Sequence, residues 1–288
     1  MISVGIIGAS GFTGAELLRI CATHPHFEVK YATGDSQAGT LARSLYPSLA
    51  ATYPNLVFEE FEIDKALACD VLFLGLPHEA SLELVPQLVN KVKLVVDLSA
   101  AFRLTDTSKY PQWYGFTHTH PELVASAVYG LPELHREQLK TARLIATPGC
   151  YVTAASLALQ PLVKAGAIDP VGVIVDAASG VSGAGRAAKH SNSFNTVDED
   201  FTAYGLLDHR HTPEIEQTLS WLAGENVTVS FTPHLLPINR GILSTIYADL
   251  NQEIPTALML GIYRDFYSEE RFVRVLPEGE LPNVAHVR

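Results

Sequence analysis

The sequence predicts an α/β protein in two parts, a doubly wound parallel sheet with helices on both faces, then an α+β part. Three observations predict it. Short, continuously apolar strands alternate with helices through the first half. A glycine-rich turn joins the first strand to the first helix. Beyond residue 149 the alternation gives way to strands joined by long loops and few helices.

Residues 4–7 are an apolar run ending at Gly8, and residues 15–21 have helical spacing. Residues 29–32, 71–74 and 94–97 read as further strands. Leu82, Leu84, Val85, Leu88 and Val89 place a helix between the last two, and residues 143–146 read as one more strand. Largely apolar runs rather than strict alternation, these strands suit a sheet buried on both faces. In the second part, residues 152–163 suit a long helix. Residues 172–176, 227–231 and 243–250 suit strands of a mixed or antiparallel sheet, and residues 255–266 suit a helix with proline in its first turn. The expected domains are 1–149 and 150–288, with no internal repeat, low-complexity tract or flexible linker between them.

The chain has 288 residues, 47% of them hydrophobic, enough for two packed cores. A formal net charge of -11 argues against a nucleic-acid partner. No apolar run approaches the roughly 20 residues that span a bilayer, so no membrane partner is expected. Three cysteines, odd in number and far apart, suit a reduced, cytoplasmic protein.

The glycine turn reads Gly8-Ala9-Ser10-Gly11-Phe12-Thr13-Gly14. A strand before it and a helix after it are the setting a dinucleotide needs. Gly8 permits the tight turn, Gly11 lets the backbone approach a pyrophosphate, and Gly14 lets the helix pack closely. The helix N-terminus supplies N–H groups and a favourable dipole for phosphate. The spacing is G-x-x-G-x-x-G rather than G-x-G-x-x-G, and the competing reading is a turn with no ligand. The second strand ends near Asp35, whose carboxylate suits a ribose 2′-hydroxyl, and Ser36, which could admit a 2′-phosphate. Gly75-Leu76-Pro77-His78 follows a later strand and is expected on the same edge.

Thr147-Pro148-Gly149-Cys150 sets a cysteine between a strand and a helix, with its sulfur expected at the positive helix end, where a thiolate is favoured. The competing reading is a cysteine that merely fills space, which suits Cys21 and Cys69. A thiolate nucleophile needs a proton-handling partner, and His211 followed by Glu214 offers an imidazole with a carboxylate to orient it. The nearby His209 has too few companions for a metal site. Ser99 and Arg103 in the stretch at 97–103, Arg186 and Arg240 are candidates for anion recognition.

Taken together, these segments resemble the N-acetyl-gamma-glutamyl-phosphate reductase family. GASGFTG at 8–14, DLSAAFR at 97–103, YGLPEL at 129–134, ATPGCY at 146–151, SGVSGAGR at 179–186, HRHTPEI at 209–215 and FTPHLLPINRG at 231–241 occur in the family's order along the whole chain. Ala101 stands where the family more often has an acidic residue. The resemblance implies a Rossmann-type domain followed by a catalytic domain of the glyceraldehyde-3-phosphate dehydrogenase-like type. It implies NADP as cofactor despite Asp35, a homo-oligomer (dimer or tetramer), and reduction of an acyl phosphate to N-acetyl-glutamate 5-semialdehyde in arginine biosynthesis. Cys150 then matches the nucleophile, His211 the acid–base group, and His209, Arg103 and Arg240 substrate or phosphate contacts. Rival readings are an aspartate-semialdehyde dehydrogenase-like enzyme and a non-catalytic dinucleotide-binding fragment. Family members continue for several dozen residues past the point matching Arg288, so the sequence reads as shortened at its C-terminus, with slow turnover expected.

Overall fold

The computed structural model describes residues 1–287. It contains two compact units, Met1–Pro148 and the residues from Gly149 onward.

In the first unit, β1 (Ile2–Ile7) leads through the glycine turn into α1 (Phe12–Thr23), and β2 (Phe27–Ala32) follows. Short helices α2 (Ala42–Leu45) and α3 (Ile63–Leu67) precede β3 (Val71–Leu74), α4 (His78–Leu88) and β4 (Leu94–Asp97). Then come α5 (Tyr110–Tyr114), α6 (Pro121–Ser126), β5 (Val128–Tyr129), α7 (Pro132–Leu139) and β6 (Leu144–Ala146). The six strands are parallel in the order β2-β1-β3-β4-β6-β5. Val4, Ile6, Leu72, Leu74, Val95 and Leu144 are buried along them, which accounts for the unbroken apolar runs. From β1 the chain moves outward to β2 and returns on the other side to β3. That reversal opens a crevice at the carboxyl ends of β1 and β3, where ligands of open α/β sheets bind.

The second unit begins with α8 (Cys150–Lys164), followed by β7 (Val173–Gly180), α9 (Phe194–Val197) and β8 (Thr202–Ala203). It continues with α10 (Thr212–Ala223), β9 (Val229–Leu236), β10 (Ile242–Tyr247) and α11 (Thr256–Phe266). The sheet order is β10-β7-β9-β8 and the sheet is mixed: β7 and β9 are parallel, while β10 and β8 run antiparallel to their neighbours. Val173, Val175 and Ala177 of β7 pack inward with Val152, Ala155 and Leu159 of α8 and Ile215 and Leu219 of α10. The outward face carries Ile174, Leu243 and Tyr247, all exposed. Pro161 has no N–H to give the Leu157 carbonyl one turn back. The Tyr267 hydroxyl donates to that carbonyl at 2.6 Å, and Tyr263 of α11 donates to the next one, Ala158.

The structure departs from the sequence expectation at several ends. β7 runs on to Gly180 and β9 spans Val229–Leu236, because ladder bonds continue through the small and polar residues that end the apolar runs. α8 starts at Cys150 itself, and Pro255 is the N-cap of α11 rather than part of its first turn. α10 has no counterpart among the expected helices, although Pro213 and Glu214 in its first turn are ordinary start signals. Among the described residues no helix is long and apolar enough to cross a membrane.

Candidate active site

The dinucleotide turn lies at the crevice. Gly8 has φ 83°, and a Cβ on it would overlap the Gly75 carbonyl oxygen that follows β3. A Cβ on Gly14 would overlap the backbone of Ala9, so α1 packs against the turn as the spacing predicts. Gly11 differs, since a Cβ there would meet only the Gly8 oxygen at 3.6 Å, ordinary contact. The fold itself therefore does not require glycine at Gly11. That opening would let a dinucleotide pyrophosphate approach the backbone, and the residues present fit one on that ground.

The other cofactor candidates sit around this turn. The Ser10 hydroxyl donates to the Gly34 carbonyl at 3.1 Å, and the Gly8 amide donates to Oγ1 of Thr33 at 3.0 Å. Both bonds tie the turn to the end of β2. Phe12 and Thr13, the first residues of α1, are exposed. Ser36 is exposed in a 3₁₀ turn whose first residue, Asp35, has a left-handed φ of 43°. Pro77 is exposed and is the N-cap residue of α4.

The stretch expected to hold an anion is bonded largely to itself. Ser99 is buried, and its hydroxyl donates to Oδ2 of Asp97 at 2.7 Å and accepts from the Ala101 amide at 3.0 Å. Its hydroxyl thus shapes the turn from within. Arg103 is 8% exposed, and its guanidinium donates to the Leu98 carbonyl at 2.8 Å. Burial pushes the Asp97 carboxyl up, against the pull of Ser99, Ser81 and Arg103.

In the second unit Cys150 is exposed at the first position of α8, with Gly149 as N-cap. The thiol thus stands at the helix end that stabilises negative charge. The Gly149 amide donates to Oε1 of Glu214 at 3.0 Å, and Glu214 is fully buried. A Cβ on Gly149 would overlap Nε2 of His211. His211 is the N-cap residue of α10 and Glu214 lies in its first turn, so one helix start brings both side chains to the residue before Cys150. Glu214 therefore holds the turn that precedes Cys150, a task the sequence did not assign to it.

His209 lies behind His211, and its Nδ1 accepts from the His211 amide at 3.1 Å. Its ring packs edge-on against Tyr151, Tyr204 and Phe231. Burial, then the Arg210 charge, lowers its pKa to about 4, so the ring is neutral with its proton on Nε2. The Tyr151 and Tyr204 hydroxyls hydrogen-bond at 3.0 Å, and Tyr151 donates to the His234 carbonyl at 3.1 Å. Burial pushes both phenols up, and Cys150 adds to this. Tyr204 and the Tyr151 hydroxyl were missed from sequence, since nothing in the local pattern ties Tyr204 to a cysteine far earlier in the chain. Arg240 is exposed on a turn zipped to the end of β7, with Val181 donating to Ile238 at 2.9 Å and Ser182 to Asn239 at 3.0 Å.

Residues 3–142 match the family described as semialdehyde dehydrogenase, NAD binding domain, and residues 150–288 the one described as semialdehyde dehydrogenase, dimerisation domain. N-acetyl-gamma-glutamyl-phosphate reductase of Geobacter sulfurreducens is 50% identical over 100% of this chain and 83% of its own length. The chain belongs to the N-acetyl-gamma-glutamyl-phosphate reductase family. The reductase of Symbiobacterium thermophilum is 49% identical over 99% of the chain and 82% of its own. Aspartate semialdehyde dehydrogenase II of Vibrio cholerae, solved in complex with ASA, is similar in fold, with a TM-score of 0.69 at 14% identity over 99% of this chain and 83% of that one. The Candida albicans enzyme, solved with NADP, has a TM-score of 0.66 at 16% identity over 93% and 76% of the two chains. The two units thus match the family's two parts, an NAD binding domain and a dimerisation domain.

Proposed function

We propose that this chain reduces N-acetyl-gamma-glutamyl phosphate to the semialdehyde through a thioester on Cys150. The observation that carries the reading is the exposed thiol at the first residue of α8, beside a turn bounded by His211 and Glu214. The Cys150 thiolate attacks the acyl carbon, the C–O bond to phosphate breaks, and inorganic phosphate leaves. NADPH held over the Gly8, Gly11 and Gly14 turn would supply the hydride that reduces the thioester. His211 gives a proton to the oxyanion that forms and takes it back as the C–S bond breaks, which releases the semialdehyde and restores the thiolate. Glu214 keeps the turn in place, and His209, Arg103 and Arg240 receive the substrate's anionic groups.

NADP is the proposed nucleotide on the strength of the family resemblance and of exposed Ser36 beside the end of β2, with Asp35 as the argument for NAD. The assembly is read as a homo-oligomer, dimer or tetramer. The outward sheet face with Ile174, Leu243 and Tyr247 supports burial against a second copy, and the location is read as cytoplasmic. The deciding experiment is phosphate-dependent oxidation of the semialdehyde by Cys150→Ala. Near-normal turnover in that variant would overturn the mechanism, whereas loss of turnover with an unchanged melting midpoint supports it.

A further inference from the structure

Two side chains at the start of α4 reach the turn that follows β4. Nδ1 of His78 accepts from the Ala100 amide at 3.0 Å. One helical turn on, the Ser81 hydroxyl donates to Oδ1 of Asp97 at 2.9 Å, and both residues are fully buried. The rest of the turn is held from its other side. The Tyr110 hydroxyl donates to the Ala100 carbonyl at 3.1 Å and accepts from the Leu104 amide at 3.0 Å. Nε2 of His118 lies 2.7 Å from the Ala101 carbonyl. Because Nδ1 of His78 accepts, its neutral ring carries the proton on Nε2, and the Tyr114 ring stands edge-on to it at 5.3 Å.

We propose that His78 is a positioning residue for the anionic end of the substrate, acting through Ala100 on Arg103. This rests on the reading of Arg103 as a substrate contact. Two hydrogen bonds of Arg103 go to the segment that His78 pins. Its amide donates to the Ala100 carbonyl at 3.4 Å and its guanidinium to the Leu98 carbonyl at 2.8 Å. A guanidinium recognises a carboxylate or phosphoryl group through a planar fork, so its direction matters as much as its charge. A displacement of about 1 Å in a positioned group can cost on the order of 10²-fold in rate. His78 also closes the short segment that leaves β3 at Gly75, whose carbonyl lies against Gly8 of the dinucleotide turn. One imidazole therefore ties the cofactor-side turn to the anion-side turn. Mere packing would be served by any side chain of that size, whereas the bond to Ala100 needs an acceptor at Nδ1.

The test compares His78→Leu, His78→Asn and Arg103→Lys in the reverse direction, reading KM for inorganic phosphate and for the semialdehyde, nucleotide affinity by titration, and thermal midpoint. Asparagine carries an oxygen near the Nδ1 position and leucine does not. Whichever KM Arg103→Lys raises, His78→Leu should raise by about tenfold, because a guanidinium turned out of line weakens its charge-assisted bond to the anion. His78→Asn should return it to within about threefold of the parent on the same scale. Should His78→Leu fail to fold, His78→Gln takes its place, because its oxygen mimics Nε2 and KM should rise likewise. Equal rises in the leucine and asparagine variants, or a change confined to nucleotide affinity or thermal midpoint, would overturn the proposal. An unchanged KM in Arg103→Lys removes the reading of Arg103 and the proposal with it. A KM raised in Arg103→Lys but not in His78→Leu overturns the proposal alone.

Discussion

Nε2 of His211 occupies the space that a Cβ on Gly149 would need, so the imidazole lies against the residue immediately before Cys150. Glycine at that position is a requirement of the site and not of the helix, which any N-cap residue could start. Gly149→Ala should push His211 aside and lower kcat, while nucleotide affinity stays near the parent value. The added methyl should also destabilise the fold by roughly 1–3 kcal/mol through overpacking. Stopped-flow turnover beside a nucleotide titration checks this, and an unchanged kcat would show that the position of His211 is irrelevant to the chemistry.

Glu214 should matter as an acceptor more than as a charge. Glu214→Gln keeps an oxygen for the Gly149 amide and should be mild. Glu214→Ala leaves that buried amide without this acceptor, at a cost of roughly 1–3 kcal/mol. The alanine variant should also alkylate more slowly at Cys150, because the turn that presents the thiol is loosened. Urea unfolding and the rate of iodoacetamide labelling measure the two effects separately. Similar stabilities for the glutamine and alanine variants would contradict the prediction.

The three cysteines should react unequally. Iodoacetamide should label Cys150, which is exposed, well before Cys21 or Cys69, which are buried and whose thiols burial pushes up. Peptide mapping after a short exposure gives the order of labelling. Prior labelling at Cys21 would mean that the first unit opens more readily than its packing indicates.

His209 should make the fold acid-sensitive. Its folded pKa of about 4 lies below the unfolded value near 6.5. As pH falls below 6.5 the unfolded chain gains a proton that the folded chain refuses, and stability declines until both forms are protonated below about 4. The loss is on the order of 2 kcal/mol, discounted for the part of the ring that water reaches. Unfolding free energies at pH 7 and pH 4.5 should therefore differ less in His209→Phe than in the parent. An identical pH dependence in both proteins rules His209 out as the source.

The three glycines of the dinucleotide turn should separate into two kinds. Gly8→Ala and Gly14→Ala meet backbone and should lower stability. Gly11→Ala meets only ordinary contact in the protein itself, so it should leave the melting midpoint nearly unchanged and weaken nucleotide binding instead. Differential scanning fluorimetry and a titration with NADPH and NADH test this. Tighter binding of NADH would assign Asp35 to the ribose and remove NADP from the reading.

By itself the sequence determined what depends on neighbours along the chain. The glycine turn, the apolar parallel strands and the cysteine between strand and helix are contiguous, so turn chemistry and periodicity display them directly. β5 escaped notice because two residues carry no periodicity, and its place in the sheet comes from pairing with β6. Only the tertiary structure decided which side chains meet. Glu214 on the Gly149 amide, Tyr204 on Tyr151 and His78 on Ala100 join segments that no local pattern connects. It also turned Ser99 inward. A hydroxyl in a polar stretch looks available until the turn closes and Asp97 and the Ala101 amide take up its bonds, because a buried polar group costs free energy unless it finds partners.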